Sequence, residues 1–179
     1  MTAFISAGHH LKDPGAIGNG KKESDLTREF RDMVVPILKC NGVKVITDKD
    51  SETLGQYLSR IKTGTGSVVL EFHFDAAIHN GATGTTCLIG NDADRLDKAF
   101  AKELVDATSE ILGIRNRGVK SESESGRGRL GLMRESGTVA LLEICFITNE
   151  DDLKAYDTNK VSLACRIAEI VKKYEDLAA

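Results

Sequence analysis

Short apolar runs of β character alternate along this chain with longer stretches of helical periodicity, and that alternation restricts the fold more than any other feature. Residues 4–7, 43–47, 67–74, 85–89 and 139–146 read as strands, being short, apolar and bounded by polar or glycine-containing segments. Between them Leu26, Phe30, Met33, Val34 and Leu38 recur at helical spacing, with Pro36 expected to kink that helix. Leu54, Tyr57, Leu58 and Ile61 repeat the signal, residues 99–112 give a third helix, and Leu163, Ile167, Ile170, Val171 and Tyr174 mark an amphipathic C-terminal one. The pattern predicts an α/β fold: a mostly parallel sheet of about five or six strands with helices on both faces. Near-continuous runs such as Val68-Val69-Leu70 and Val139-Ala140-Leu141-Leu142 suit strands buried on both sides. Residues 115–131, polar and dotted with glycine, read instead as a long exposed loop that carries little stability. With no repeat and no linker, a single domain over residues 1–179 is expected.

Composition narrows the function classes. At 41% hydrophobic and 28% charged residues the chain can bury a core. Its formal charge of −3 argues against a life on phosphate contacts, so no nucleic-acid partner is expected. No apolar run approaches the roughly 20 residues that span a bilayer, so no stable membrane association is expected either. The N-terminus lacks the basic start and apolar stretch of a secretory signal, which predicts a cytoplasmic chain unless something releases it. The four cysteines, at 40, 87, 145 and 165, form no CxxC pair. They suit neither a zinc-thiolate site nor a disulfide framework, and each is expected to be a buried free thiol.

The residues able to carry chemistry lie where strands end, which is where sites form in parallel α/β sheets. His9 follows the first strand and opens the loop Gly8-His9-His10-Leu11-Lys12-Asp13-Pro14-Gly15-Ala16, and His73 stands near the end of the strand over residues 67–74. Two such histidines, 64 positions apart, can meet or can each be structural. Glu23 precedes a helix for which Ser24 is a plausible N-cap; it either points back over the sheet or complements the helix dipole. Glu143 interrupts an apolar strand, where a carboxylate is paired or functional. Glu71 and Asp75 share the strand face of His73 by period-two alternation, so either can orient an imidazole. His79 falls in the following loop and is expected at the surface or rim.

Four ordered motifs together resemble the zinc-dependent N-acetylmuramoyl-L-alanine amidases, the cell-wall amidases of autolysins and endolysins. They are Gly8-His9 followed by Asp13-Pro14-Gly15-Ala16, Asn19-Gly20 and Glu23; then Phe72-His73-Phe74-Asp75-Ala76-Ala77; then Arg117-Gly118-Val119-Lys120; and Leu142-Glu143-Ile144-Cys145-Phe146-Ile147-Thr148-Asn149. The resemblance covers nearly the whole chain. It implies that His9, Glu23 and His73 bind Zn2+ and that Glu143 is the catalytic carboxylate. Two imidazoles and a carboxylate are a ligand set that leaves a position for water, and zinc in such a site polarises a carbonyl and acidifies water. The implied substrate is peptidoglycan, cut at the amide between N-acetylmuramic acid and L-alanine.

The chain departs from the family in places. His10 and Leu11 stand where small residues are usual after the first histidine, which makes His10 a rival ligand, although the position of Asp13-Pro14-Gly15-Ala16 favours His9. Asp75 replaces a common Asn, and Cys145 a common Gly. With neither a signal nor wall-binding repeats, the chain suits a monomeric phage endolysin, held in the cytoplasm until a holin opens the membrane. Two alternatives remain at this stage: a zinc peptidase acting on the stem peptide, and a peptidoglycan-binding module without catalysis.

Overall fold

Alternate residues of the central strands enter two different layers, and this division decides where a site can form. The computed structural model describes residues 2–78, 81–126 and 128–177; His79, expected at the rim, lies outside them. Strand β1 (Thr2–Ala7) leads through a loop and a small hairpin, β2 (Ile17–Gly18) and β3 (Lys21–Lys22), into helix α1 (Glu23–Cys40). There follow β4 (Lys44–Thr47), α2 (Leu54–Arg60), β5 (Ser67–Asp75), β6 (Thr85–Ile89), α3 (Arg95–Leu112) and β7 (Asn116–Ser121). Two 3-10 turns, Glu122–Glu124 and Gly131–Arg134, precede β8 (Thr138–Phe146) and the long α4 (Glu150–Leu177).

Six strands form one sheet in the order β4-β1-β5-β8-β6-β7. Strands β4, β1, β5 and β8 are mutually parallel, whereas β6 runs antiparallel to β8 and parallel to β7. The fold is therefore the expected α/β class with a mostly parallel sheet. Its helices cover the two faces unequally. Val68, Leu70, Phe72 and Phe74 of β5, with Ala140, Leu142 and Ile144 of β8, pack against α1, α3 and α4 in the main core. The intervening Val69, Val139 and Leu141 join Phe4, Leu88, Tyr57, Ile61 and Leu132 in a smaller cluster under α2 and the second 3-10 turn. Each fully buried Phe or Leu contributes on the order of 1.5–3 kcal/mol, so the three-helix face holds the molecule together. The thinly covered face leaves polar side chains of β5 and β8 reachable.

Local chemistry explains the helix ends. Thr53 and Asp94 each form a capping box, with Gln56 and Asp97 respectively, and Gly113 closes α3 in the left-handed conformation. Helix α1 runs through Pro36 as a single element. Ser24 is not its N-cap: the helix begins at Glu23 after an extended Lys22 that makes no side-chain cap bond.

Two further expectations are corrected. Residues 115–131 are not one exposed loop, because 116–121 form the edge strand β7 and Glu122 is buried. The Glu122 carboxylate accepts the backbone N–H of Leu130 at 2.7 Å and of Asn91 at 3.4 Å, fastening the segment to the scaffold. The strand was missed because Asn116-Arg117-Gly118-Val119-Lys120-Ser121 has almost no apolar content, which an edge strand does not need. Of the cysteines, all free, Cys87 and Cys145 are buried but Cys40 and Cys165 are exposed. Both exposed thiols lie on helices, where apolar neighbours in sequence point to other faces.

Candidate functional site

The register of β1 and β5 places Ala7 beside Phe72, so the loop leaving β1 at Gly8 starts next to His73. The Gly8 N–H continues the ladder by donating to the Phe72 carbonyl at 2.8 Å. Its lack of a side chain is required, since a Cβ there would lie 2.4 Å from the His73 ring. The chain then turns sharply: His9 has φ +66°, a left-handed conformation rarely taken outside glycine. Its Nδ1 meets Asp13 Oδ2 at 2.8 Å, and Asp13 Oδ1 accepts the Gly15 N–H at 3.2 Å, so the loop folds back on itself. His9 Nε2 thereby faces Glu23.

Glu23, the first residue of α1, is 1% exposed and turns back over the sheet. Oε1 accepts the Phe74 N–H at 3.0 Å and contacts His73 Nδ1 at 2.9 Å. Oε2 accepts the Ala16 N–H at 2.9 Å and lies 3.1 Å from His9 Nε2. That last pair is a close charge contact rather than a formed hydrogen bond: His9 Nε2 is shielded from solvent and has no hydrogen-bond partner among the described residues. Gly15 makes room for this convergence, because a Cβ there would stand 2.6 Å from His9 Cδ2 and 2.7 Å from Glu23 Oε2.

One ligand atom each from His9, Glu23 and His73 lies within 4.8 Å of the others. Two imidazole nitrogens and a carboxylate oxygen at that spacing, with one nitrogen lacking a hydrogen bond and aimed inward, suit a catalytic zinc ion. The structure brings His9 to this group and not His10, whose Nδ1 accepts the Lys12 N–H at 3.3 Å. Of the two carboxylates expected near His73, Glu71 makes the contact, Oε1 to Nε2 at 3.0 Å, and is itself held by the Ser6 hydroxyl at 3.1 Å. Asp75 instead caps the Ala76 N–H. Sequence reasoning passed over Asp13 as a partner of His9; its i, i+4 spacing from that histidine was the available signal.

The electrostatics follow from the same contacts. Burial opposes charge on both histidines, but the carboxylates outweigh it. Glu23 and Asp13 raise His9 above its ordinary value, and Glu23 and Glu71 push His73 up to about 10. Burial likewise opposes the Glu23 carboxylate, and the histidines overcome it, holding the group far below its usual range. The cluster thus holds a carboxylate that demands positive charge beside it.

Glu143 lies one strand over. It pairs in register with His73, on the same sheet face, and is 6% exposed. It lines a shallow depression of about 90 Å³ with Asp75, Thr86 and Lys120. A larger cleft of about 360 Å³ is lined by His9 and His73 at its base and walled by Leu54 and Tyr57 of α2 on one side and Leu130 and Leu132 on the other. The walls approach at Gly131, where a Cβ would stand 3.3 Å from Leu58.

Comparison with known proteins places this architecture. The chain is 26% identical over 182 residues to the Clostridium perfringens protein CPE1502, a match covering 98% of this chain and 52% of that protein. It is 25% identical over 156 residues to the N-acetylmuramoyl-L-alanine amidase LytC of Bacillus subtilis, covering 84% of this chain and 30% of LytC. The chain therefore spans about half, or less, of the length of these relatives. The catalytic domain of CwlV, an N-acetylmuramoyl-L-alanine amidase from Bacillus (Paenibacillus) polymyxa var. colistinus, superposes with a TM-score of 0.80 at 22% identity, covering 98% of both chains. The family model described as N-acetylmuramoyl-L-alanine amidase matches residues 3–173, from the first strand to the last helix, and the chain belongs to that family.

Proposed function

We propose that this chain is a zinc-dependent hydrolase of peptidoglycan that cuts the amide between N-acetylmuramic acid and L-alanine. One observation carries the reading: His9, Glu23 and His73 converge at one point, His9 and His73 also lining the cleft, with Glu143 beside His73 on the same sheet face. Bound there, zinc would supply a Lewis acid for the scissile carbonyl and a more acidic water. His9, Glu23 and His73 would hold it, with Asp13 and Glu71 fixing the two imidazoles through their far nitrogens. Glu143 takes a proton from water as its oxygen attacks the lactyl carbonyl carbon, then delivers it to the alanine nitrogen as the C–N bond breaks. Its location in a strand rather than a loop keeps that carboxylate fixed.

Digestion of purified sacculi, read together with metal content, tests this. About one zinc per chain is expected, with products bearing new L-alanine amino termini on intact stem peptides. Glu143→Gln should keep its zinc while hydrolysis falls by roughly 10²–10⁴, the usual contribution of general acid–base catalysis. Loss of zinc from Glu143→Gln would make it a ligand, and normal digestion would remove its catalytic role. Cleavage within the stem peptide would favour a peptidase, and zinc-loaded protein that binds sacculi without releasing peptide would favour a binding module.

The phage role rests on the sequence expectation alone. We propose that the enzyme waits in the cytoplasm and reaches the wall after membrane opening. Expression in a susceptible host should then cause lysis only when a holin is co-expressed.

A further inference from the structure

Arg31 is a charged residue on the buried side of α1, flanked on the helix by Thr27, Val34 and Val35, and is 4% exposed. Its guanidinium donates from Nη1 to Asp48 Oδ2 and from Nη2 to Asp50 Oδ1, each at 2.7 Å, and from Nε to Asp32 Oδ1 at 2.9 Å. Asp48 and Asp50 belong to the turn that follows β4. That turn holds the His9 loop from both sides: Asp48 Oδ1 accepts the Ala7 N–H at 3.1 Å, and the Asp50 carbonyl accepts the Leu11 N–H at 2.9 Å. His9 stands between those two amides in its left-handed conformation. A non-glycine residue in that region persists when its surroundings over-determine it, and these contacts do so from outside the loop.

We propose that Arg31 is a positioning residue of the metal centre, setting the placement of His9 relative to Glu23 by gripping the 48–50 turn. Glu23 begins the same helix, eight residues or roughly 12 Å before Arg31. One rigid element therefore carries a ligand at its start and, two turns later, the clamp that locates a second ligand. This rests on the zinc reading above. The guanidinium is suited to the task because its planar fork reaches both carboxylates of the turn while also bonding Asp32, a geometry a lysine ammonium does not reproduce.

The test compares Arg31→Lys and Asp50→Ala with Asp32→Asn, whose side chain bonds Arg31 from solvent and touches nothing in the loop. Asp50→Ala keeps the backbone acceptor for Leu11 and the Arg31–Asp48 pair but removes the Asp50 half of the grip; the Asp50 side chain is 47% exposed, so this variant is expected to fold where Arg31→Lys fails to. Zinc affinity is measured by competition with a chromophoric chelator. Amide exchange at Ala7 and Leu11 is measured on metal-free protein, at a temperature where circular dichroism shows every variant folded. Arg31→Lys and Asp50→Ala should weaken zinc binding about tenfold, the low end for residues supporting a ligand; Arg31→Lys should speed exchange at both amides about fivefold or more, and Asp50→Ala should do so at Leu11, where the turn loses its grip. Asp32→Asn should match wild type in both. Wild-type protein that takes up no zinc would overturn the metal reading and this inference with it. Zinc-binding wild type matched by both variants would overturn the positioning role alone, as would weakened zinc with unchanged amide exchange.

Discussion

Three glycines in the segment from Gly8 to Glu23 separate steric room from backbone conformation, and substituting each with alanine gives a graded expectation. At Gly20 (φ +76°) a Cβ meets nothing within 4 Å, so Gly20→Ala carries only left-handed strain, about 1–2 kcal/mol. At Gly8, where no positive φ is involved, the Cβ would lie 2.4 Å from His73 Cε1 and Nε2. His73 cannot move away cheaply, being held by Glu23 on one nitrogen and Glu71 on the other, so an overpacking cost of about 1–3 kcal/mol is expected. Gly15 (φ +64°) combines both, with contacts of 2.6 Å to His9 Cδ2 and 2.7 Å to Glu23 Oε2. Gly15→Ala should therefore lose about 2–5 kcal/mol, less the few tenths that alanine recovers by restricting the unfolded chain. In a chain of this size that is a fall of roughly 4–20 °C in Tm, against roughly 2–8 °C for Gly20→Ala. Urea unfolding of metal-free protein measures the stability term, and zinc content after dialysis measures the site. Gly8→Ala and Gly15→Ala should lose zinc, and Gly20→Ala should keep it. Equal destabilisation of Gly15→Ala and Gly20→Ala, with zinc retained in both, would refute the claim that the ligands are packed against these backbones.

Other substitutions probe the scaffold. Asp152, 1% exposed, accepts the Thr83 hydroxyl and the N–H groups of Gly84 and Phe146. Asp152→Ala strands the buried Gly84 and Phe146 amides and should cost about 2–5 kcal/mol in urea unfolding; a loss under 1 kcal/mol would mean that they find other partners. Glu122→Ala frees the Leu130 and Asn91 amides and should cost about 1–3 kcal/mol while raising KM on sacculi, since residues 130–132 wall the cleft. An unchanged melting temperature would restore the view of this segment as a loose loop. Glu52 is held down to about 2 by hydrogen bonds from Arg60, with a further bond from the Lys49 N–H. A carboxyl depressed in the folded state stabilises above its unfolded pKa and loses that contribution as pH falls toward its folded value. Melting temperatures recorded from pH 6 to pH 2 should therefore fall more steeply for wild type than for Glu52→Gln; parallel curves would show that the pair adds nothing.

Periodicity in the sequence determined the α/β class, five of the six sheet strands and the core stripe of α1, because burying those apolar faces leaves few other arrangements. The order of histidines and carboxylates along the motifs carried the family, since residue types at fixed separations are a property of sequence alone. Tertiary structure decided the rest. Strand β7 escaped because an edge strand needs hydrogen bonds on one side only and can be polar throughout. Whether Glu71 or Asp75 reaches His73 was decided by tertiary neighbours, since Ser6 of β1 holds Glu71 whereas Asp75 accepts the Ala76 N–H, which no period-two count registers. Arg31 gave a faint signal, a charge on an apolar stripe. Its partners Asp48 and Asp50 meet it only because β4 docks beside β1 and brings the following turn over α1. The sequence put Glu71, His73 and Asp75 on one strand face but did not show which face the helices cover. Three long helices on one face, and a short helix with a turn on the other, left His73 and Glu71 lining a cleft and Glu143 in the neighbouring depression.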